Sequence, residues 1–289
     1  MNIALITTIE GNRRDINTLK QGYIREYETE AIQCFKEWRK NGGWLKDIPI
    51  YCIGLTSQTI SEDTQKELEV LGVTYIEEYH AETENYQNGY WNIPLSGKWF
   101  EENLTEDILI KIDLDMYLIK PLPEDIVYIN EGTTTVGRYD ELSAKHNTNK
   151  LTFPEKYGQP WDTGLVITHK DTLFFSRFYN KLKQITREYE EGTFESLYGL
   201  HIKEHDEDQG VDYGAIEEFA VSIMYTDEGA LLNPLFKYNI GEFYAPTSIY
   251  TDDEVLQIYF FHEHIPFQEP EYDKIKTRVE YFNRINNCN

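Results

Sequence analysis

Two aspartates, Asp113 and Asp115, follow a short apolar run, Ile108–Ile112, that only Lys111 interrupts. In an extended chain residues i and i+2 face the same way. Two carboxylates on one side of a strand end can grip a single hard divalent cation. A cation held there bridges the phosphates of a nucleotide and offsets charge on a departing diphosphate. The spacing alone is weak, because an acidic chain produces Asp-x-Asp by chance. A second one stands at Asp206 and Asp208, where 205–208 reads equally well as a charged helix entrance. Context favours the first pair: it ends an apolar run, and apolar residues resume at 116–119. The competing reading of Asp113 and Asp115 is a solvated acidic turn.

A cation needs a third ligand. His262 and His264 follow the apolar run 255–261, and alternation puts both on one face. Either could offer a neutral imidazole nitrogen. Read alone, they could equally be ordinary surface or satisfied histidines.

The surrounding pattern says what must position these groups. Ile3–Thr8 reads as a short buried strand. Ile24, Tyr27, Ala31, Phe35 and Trp38 recur at helical spacing until Asn41-Gly42-Gly43 stops them. Residues 48–55 read as a second strand, Ser61 as the N-cap of a helix ending near Gly72, and Val73–Glu77 as a third strand. A helix is expected over 95–104. The run Ile108–Ile112 then suits a central strand covered on both faces. Strands at 133–139, 164–169 and 255–261 and helices at 174–189 and 212–220 follow, with a polar, Gly- and Pro-bearing loop over 140–160. Strand–helix alternation implies an α/β fold with a mostly parallel sheet flanked by helices, whose ligands bind beyond the carboxyl ends of the strands.

Composition bounds the alternatives. The 289 residues carry 27 Lys plus Arg against 51 Asp plus Glu, a formal charge of −24. Such a balance counts against a general nucleic-acid or anionic-membrane binder. Hydrophobic residues at 40% suffice for a core. No apolar run approaches a membrane span, and neither a signal peptide nor a disulfide or zinc framework is expected. Cys34, Cys52 and Cys288 suit a reducing cytoplasm. The abundance of Asn, Lys, Ile, Tyr and Glu suits an AT-rich microbial or viral genome, in the latter case placing the protein in host cytoplasm.

The stretch 110–115 followed by 116–122 resembles the metal-binding strand of nucleotide-sugar-dependent glycosyltransferases with the GT-A fold, distantly the glycogenin-like ones. Four further stretches resemble theirs in the same order: Ile3–Thr8; Gly97-Lys98-Trp99; Trp161-Asp162-Thr163-Gly164-Leu165-Val166, like their Asn-Ser-Gly turn; and Asp208-Gln209-Gly210. Phe261-His262 resembles the late histidine that completes their metal site. Two departures stand out. Asp162 replaces the family's Asn, and no Lys-Pro-Trp follows the late histidine.

The resemblance implies a single GT-A-like, Rossmann-like domain over 1–289. Residues to about 130 would bind the nucleotide, and those from about 131 the acceptor. It implies a glycosyltransferase moving a sugar from a nucleotide-sugar, a UDP-sugar first, with Mn2+ or Mg2+, to a glycan, protein or small-molecule hydroxyl. Thr7, Thr8 and Arg14 would line the nucleotide pocket, Lys98 would reach a phosphate or donor hydroxyl, and Asp113 would meet ribose and metal. Asp115 and His262 would ligate the metal, and Asp162 and Asp208 would flank the reacting sugar. Solvated roles for Arg14 and Lys98 remain open. Trp91, Trp99 and Trp161 are candidates to stack on sugar, with core positions as their alternative. A nucleotidyltransferase making an activated sugar is a second reading, although 7–14 holds one glycine rather than a phosphate loop. A divalent-ion or carbohydrate-binding protein without catalysis is a third.

Overall fold

The computed structural model describes residues 2–11, 27–83, 91–138, 155–157, 161–199, 213–236, 239–240 and 258–262, together with 273, 276 and 277. Three apolar strands carry the first half. β1 (Ile3–Thr8) pairs in parallel with β2 (Ile50–Gly54), and β2 with β3 (Val73–Glu77). Parallel neighbours need a crossover. Helices α1 (Tyr27–Asn41) and α2 (Glu62–Val70) follow β1 and β2, and α3 (Asn92–Asn103) precedes β4 (Ile108–Ile112), which pairs in parallel with the other edge of β1. Every residue of β4 is buried, as a central strand with two covered faces requires.

Local chemistry sets the ends. Helix α1 buries Ala31, Cys34, Phe35 and Trp38, the apolar stripe its spacing predicts, and stops before Gly42. The expected extension back to Ile24 lies outside the described residues. Ser61 caps α2 by accepting from the Thr64 amide. Gly72 then turns the chain at φ 67°, a left-handed conformation that glycine adopts without steric cost.

The second half completes a seven-stranded sheet in the order β3-β2-β1-β4-β7-β6-β8, with β6 at Thr134–Arg138, β7 at Trp161–His169 and β8 at Leu232–Phe236. Strand β7 runs antiparallel to both β4 and β6, while β6 and β8 are parallel. It begins three residues before the expected Gly164, so Trp161, Asp162 and Thr163 belong to a strand rather than to a turn. Its pairing to β6 jumps from Val136↔Val166 to Gly137↔Asp162, a bulge that frees 163–165 beside β4.

A small second sheet, which periodicity did not announce, joins β5 (Met116–Leu118), β9 (Asn239–Ile240) and β10 (Phe260–His262). The late strand is therefore shorter and later than the expected 255–261, of which 255–257 lie outside the described residues. The loop expected over 140–160 lies mostly outside them too, with Glu155–Tyr157 a single 3-10 turn.

Alternation along the central strands feeds two cores. Leu5, Ile108, Ile110 and Ile112 join one, with α1 and the small sheet. Ile6, Leu109 and Val166 join the other, beneath α3, α5 (Phe174–Glu190) and α7 (Tyr213–Thr226). Lys111 shares the parity of Leu109, so its side chain enters the second core. Two short helices, α4 (Glu124–Val127) and α6 (Phe194–Tyr198), complete the described helices. Gly97 lets α3 approach the Phe175 ring of α5 closely. Glu101 of α3 accepts from the Phe175 and Ser176 amides at 2.7 and 2.9 Å, satisfying the start of α5, which has no side-chain cap of its own.

Candidate functional site

The carboxyl end of β4 turns sharply into β5. The Asp113 amide donates to Gly164 O at 3.0 Å, and the Met116 amide donates to Asp113 O at 3.2 Å. This turn sets Asp113 half-buried at the site's mouth and Asp115 inside, 2% exposed. Antiparallel pairing of β5 with β10 puts His262 opposite Met116. Its Nε2 lies 3.4 Å from Asp115 Oδ1. One ligand atom from each of Asp113, Asp115 and His262 lies within 4.8 Å of the others. Two carboxylates and an imidazole form an oxygen–nitrogen set that fits Mn2+ or Mg2+.

The electrostatics agree with such a role. Burial alone would lower the His262 pKa, but Asp115, and then Asp162 and Asp113, hold it above its ordinary value. The carboxylates thus draw positive charge to the place where the three ligands meet.

Behind the cluster stands a buried polar chain. The Lys111 ammonium, 1% exposed, pairs with Asp113 Oδ1 and donates to Thr163 O at 2.8 Å. Thr163 lies in the stretch of β7 that the bulge leaves unpaired to β6. The Thr163 hydroxyl donates to Glu217 of α7, whose carboxyl burial pushes up to about 8 despite the opposing pull of Lys111 and Thr163. Asp162 Oδ1 accepts from the Gly164 amide at 2.9 Å. A Cβ on Gly164 would meet Asp162 Oδ1 at 3.0 Å, Met116 Sδ at 3.1 Å and Asp113 Oδ2 at 3.4 Å, so only glycine leaves these groups undisturbed.

The other expected residues divide. Thr7 is buried at the end of β1, its hydroxyl donating to Ile112 O at 2.8 Å, so it braces the end of β4. Thr8 is half-buried and donates to Ile53 O at 3.1 Å. Lys98 pairs with Glu102 one helical turn on, at 3.0 Å, and no described contact joins it to the cluster. Trp91 and Trp161 are buried in the second core, the structural alternative for both, and Trp99 packs against that core. Arg14, Asp206, Asp208 and His264 lie outside the described residues. Sequence reasoning missed Lys111 and Glu217 as site residues. A lysine inside an all-apolar strand is a usable signal, since a buried ammonium needs a partner. Glu217 carries none in so acidic a chain.

No protein-family model matches the sequence. No curated protein matches it either. Solved structures do. A galactosyltransferase, LgtC, solved in complex with donor and acceptor sugar analogs, superposes with a TM-score of 0.55 at 10% identity, over 97% of this chain and 95% of its own. The chain has the GT-A fold. The match spans nearly the whole length of both chains. The glycosyltransferase GlyE from Streptococcus pneumoniae TIGR4 also matches, with a TM-score of 0.45 at 10% identity over 81% of this chain. This chain spans 45% of that one's length. In the GT-A sheet described here, the Asp113–Asp115–His262 cluster lies at the carboxyl end of the central strand, where open α/β sheets bind ligands.

Proposed function

We propose that this protein is a metal-dependent glycosyltransferase that moves a sugar from a nucleotide-sugar, a UDP-sugar first, to an acceptor hydroxyl. The observation that carries the reading is the convergence of Asp113, Asp115 and His262 at the end of β4 in a GT-A sheet. Asp115 and His262 would hold Mn2+ or Mg2+ from inside and Asp113 from the solvent side. The cation, when bound, supplies a Lewis acid that offsets charge on the leaving diphosphate.

The chain's own groups do the rest. Thr7 ties the end of β1 to the end of β4, beside the place the nucleotide would occupy. The nucleotide would lie over the carboxyl ends of β1 and β2, with Thr8 at its edge and Arg14 and Lys98 reaching for phosphate or sugar. Asp162 and Asp208 would flank the transferred sugar, and residues beyond about 131 would shape the acceptor side. The acceptor is a glycan, a protein or a small molecule, and the net charge of −24 disfavours a polyanion. Free, buried thiols at Cys34 and Cys52 suit a cytoplasmic setting. Among the described residues no helix is long and apolar enough to cross a membrane.

A thermal-shift screen of UDP-, GDP-, ADP-, CMP- and dTDP-sugars with Mn2+ or EDTA tests the reading, because a ligand that binds only the folded state raises its melting temperature. A shift with one nucleotide class that EDTA removes supports it. No shift with any nucleotide, but one with Ca2+ or free glycans, would replace it with a binding protein.

A further inference from the structure

We propose that Lys111 is a positioning residue: it fixes the Asp113 carboxylate with one oxygen turned to the cation and lowers the cluster's affinity for a bare divalent ion. The inference rests on the metal-site reading above and adds a residue that this reading does not use.

The geometry makes Lys111 immobile. It sits mid-sheet, opposite Ile6 on β1 and Val166 on β7, 1% exposed. A buried ammonium cannot swing to water, and here its partners are Asp113 Oδ1 and the Thr163 carbonyl at 2.8 Å. That carbonyl belongs to 163–165, the stretch of β7 that the bulge leaves unpaired to β6. With Oδ1 engaged, Asp113 keeps Oδ2, which lies toward Gly164 beside Asp162 Oδ1.

The electrostatic effect follows. Lys111 puts a fixed positive charge directly behind one of the cation's ligands. A unit charge roughly 6 Å from a divalent ion shifts its affinity about tenfold even at the screening of water, and by more in a partly buried site. Fixing one carboxylate rotamer is worth less, a factor of a few. Burial favours the neutral form of Glu217, so its carboxyl opposes the lysine's charge less than an exposed one would. The lysine therefore weakens the hold on a bare ion while it sets the ligand's direction. A cation held there would keep more of its charge for a departing diphosphate.

The test is Mn2+ binding to the full chain, followed by the electron paramagnetic resonance of the free ion. Wild type, Lys111→Met, Lys111→Gln and Asp115→Asn are titrated with Mn2+ alone, and far-ultraviolet circular dichroism checks the fold of each. Lys111→Met and Lys111→Gln should each bind Mn2+ at least about tenfold more tightly than wild type, with an altered bound-ion spectrum as Asp113 reorients. A merely structural lysine would give weaker binding or none of this tightening. Unchanged or weaker affinity in a folded variant overturns the inference. So does a Gln variant that behaves as wild type, which would credit the hydrogen bond to Thr163 rather than the charge. Failure of both variants to fold overturns it too, making Lys111 a strut. Wild type that binds no Mn2+, or Asp115→Asn that binds it as wild type does, rejects the metal site itself, a result distinct from the others.

Discussion

Glu217 couples the stability of the fold to pH. It is 4% exposed and accepts a hydrogen bond from the Thr163 hydroxyl. Burial raises its carboxyl from 4.5 to about 8, with Asp113 and Asp162 adding to the rise. A carboxyl with a raised folded pKa contributes stability that is fully present below the unfolded pKa. That contribution is lost as pH climbs through the folded pKa. The window therefore runs from about 4.5 to about 8, and stability falls as pH rises across it. At ~1.4 kcal/mol per pKa unit, the loss between pH 5 and pH 9 is about 4 kcal/mol. Glu217→Gln keeps the shape and an acceptor for Thr163 but cannot ionise. Urea unfolding of both proteins at each pH reads the effect as a difference of differences, which removes the groups that titrate independently of Glu217. The Gln variant should gain about 4 kcal/mol on wild type between pH 5 and pH 9. An identical stability gap at both pH values would refute the reasoning and mean that Glu217 ionises as an exposed carboxyl does.

Three smaller predictions follow from local geometry. Gly164→Ala places a methyl against Asp162 Oδ1, Met116 Sδ and Asp113 Oδ2, so Mn2+ affinity should fall at least about tenfold while the melting temperature moves little, as titration and a thermal scan would show. Gly97→Ala drives a methyl into the Phe175 ring between α3 and α5, which should cost about 1–3 kcal/mol in urea unfolding. Ser61→Ala removes the acceptor for the Thr64 amide and a donor to Glu28, and should cost about 1 kcal/mol by the same measurement.

Much of this architecture could be read from residue order. Strands β1, β3 and β4 fall on the residues that apolar runs marked, and Ser61 caps the helix that it was expected to cap. The metal candidates were legible because chemistry and position coincided: Asp113 and Asp115 end an apolar run, and a histidine ends the last one. Strand direction was not legible. Period-two alternation is the same for a parallel and an antiparallel strand, so nothing in Trp161–His169 announced that it reverses between β4 and β6. The three-residue bulge was hidden for the same reason, and with it the carbonyl that receives Lys111. Lys111 itself looked like a blemish in an apolar run, and only the fold reveals that its ammonium ends on Asp113. Glu217 sits among Ile216, Phe219 and Ala220 on a buried helix face, a burial that sequence pattern assigns to apolar residues. Lys98 shows the converse: its placement came from family order, and its described partner is Glu102 on its own helix.

The central claim is that Asp115, at the inner end of the β4 turn, holds the cation on which donor chemistry depends. Its most direct test is the release of UDP from UDP-sugars by wild type and Asp115→Asn, with Mn2+ and with EDTA. The account predicts slow release by wild type in Mn2+, none in EDTA, and none by a folded Asp115→Asn protein in either. Release that persists in EDTA, or in the Asn variant, would contradict it.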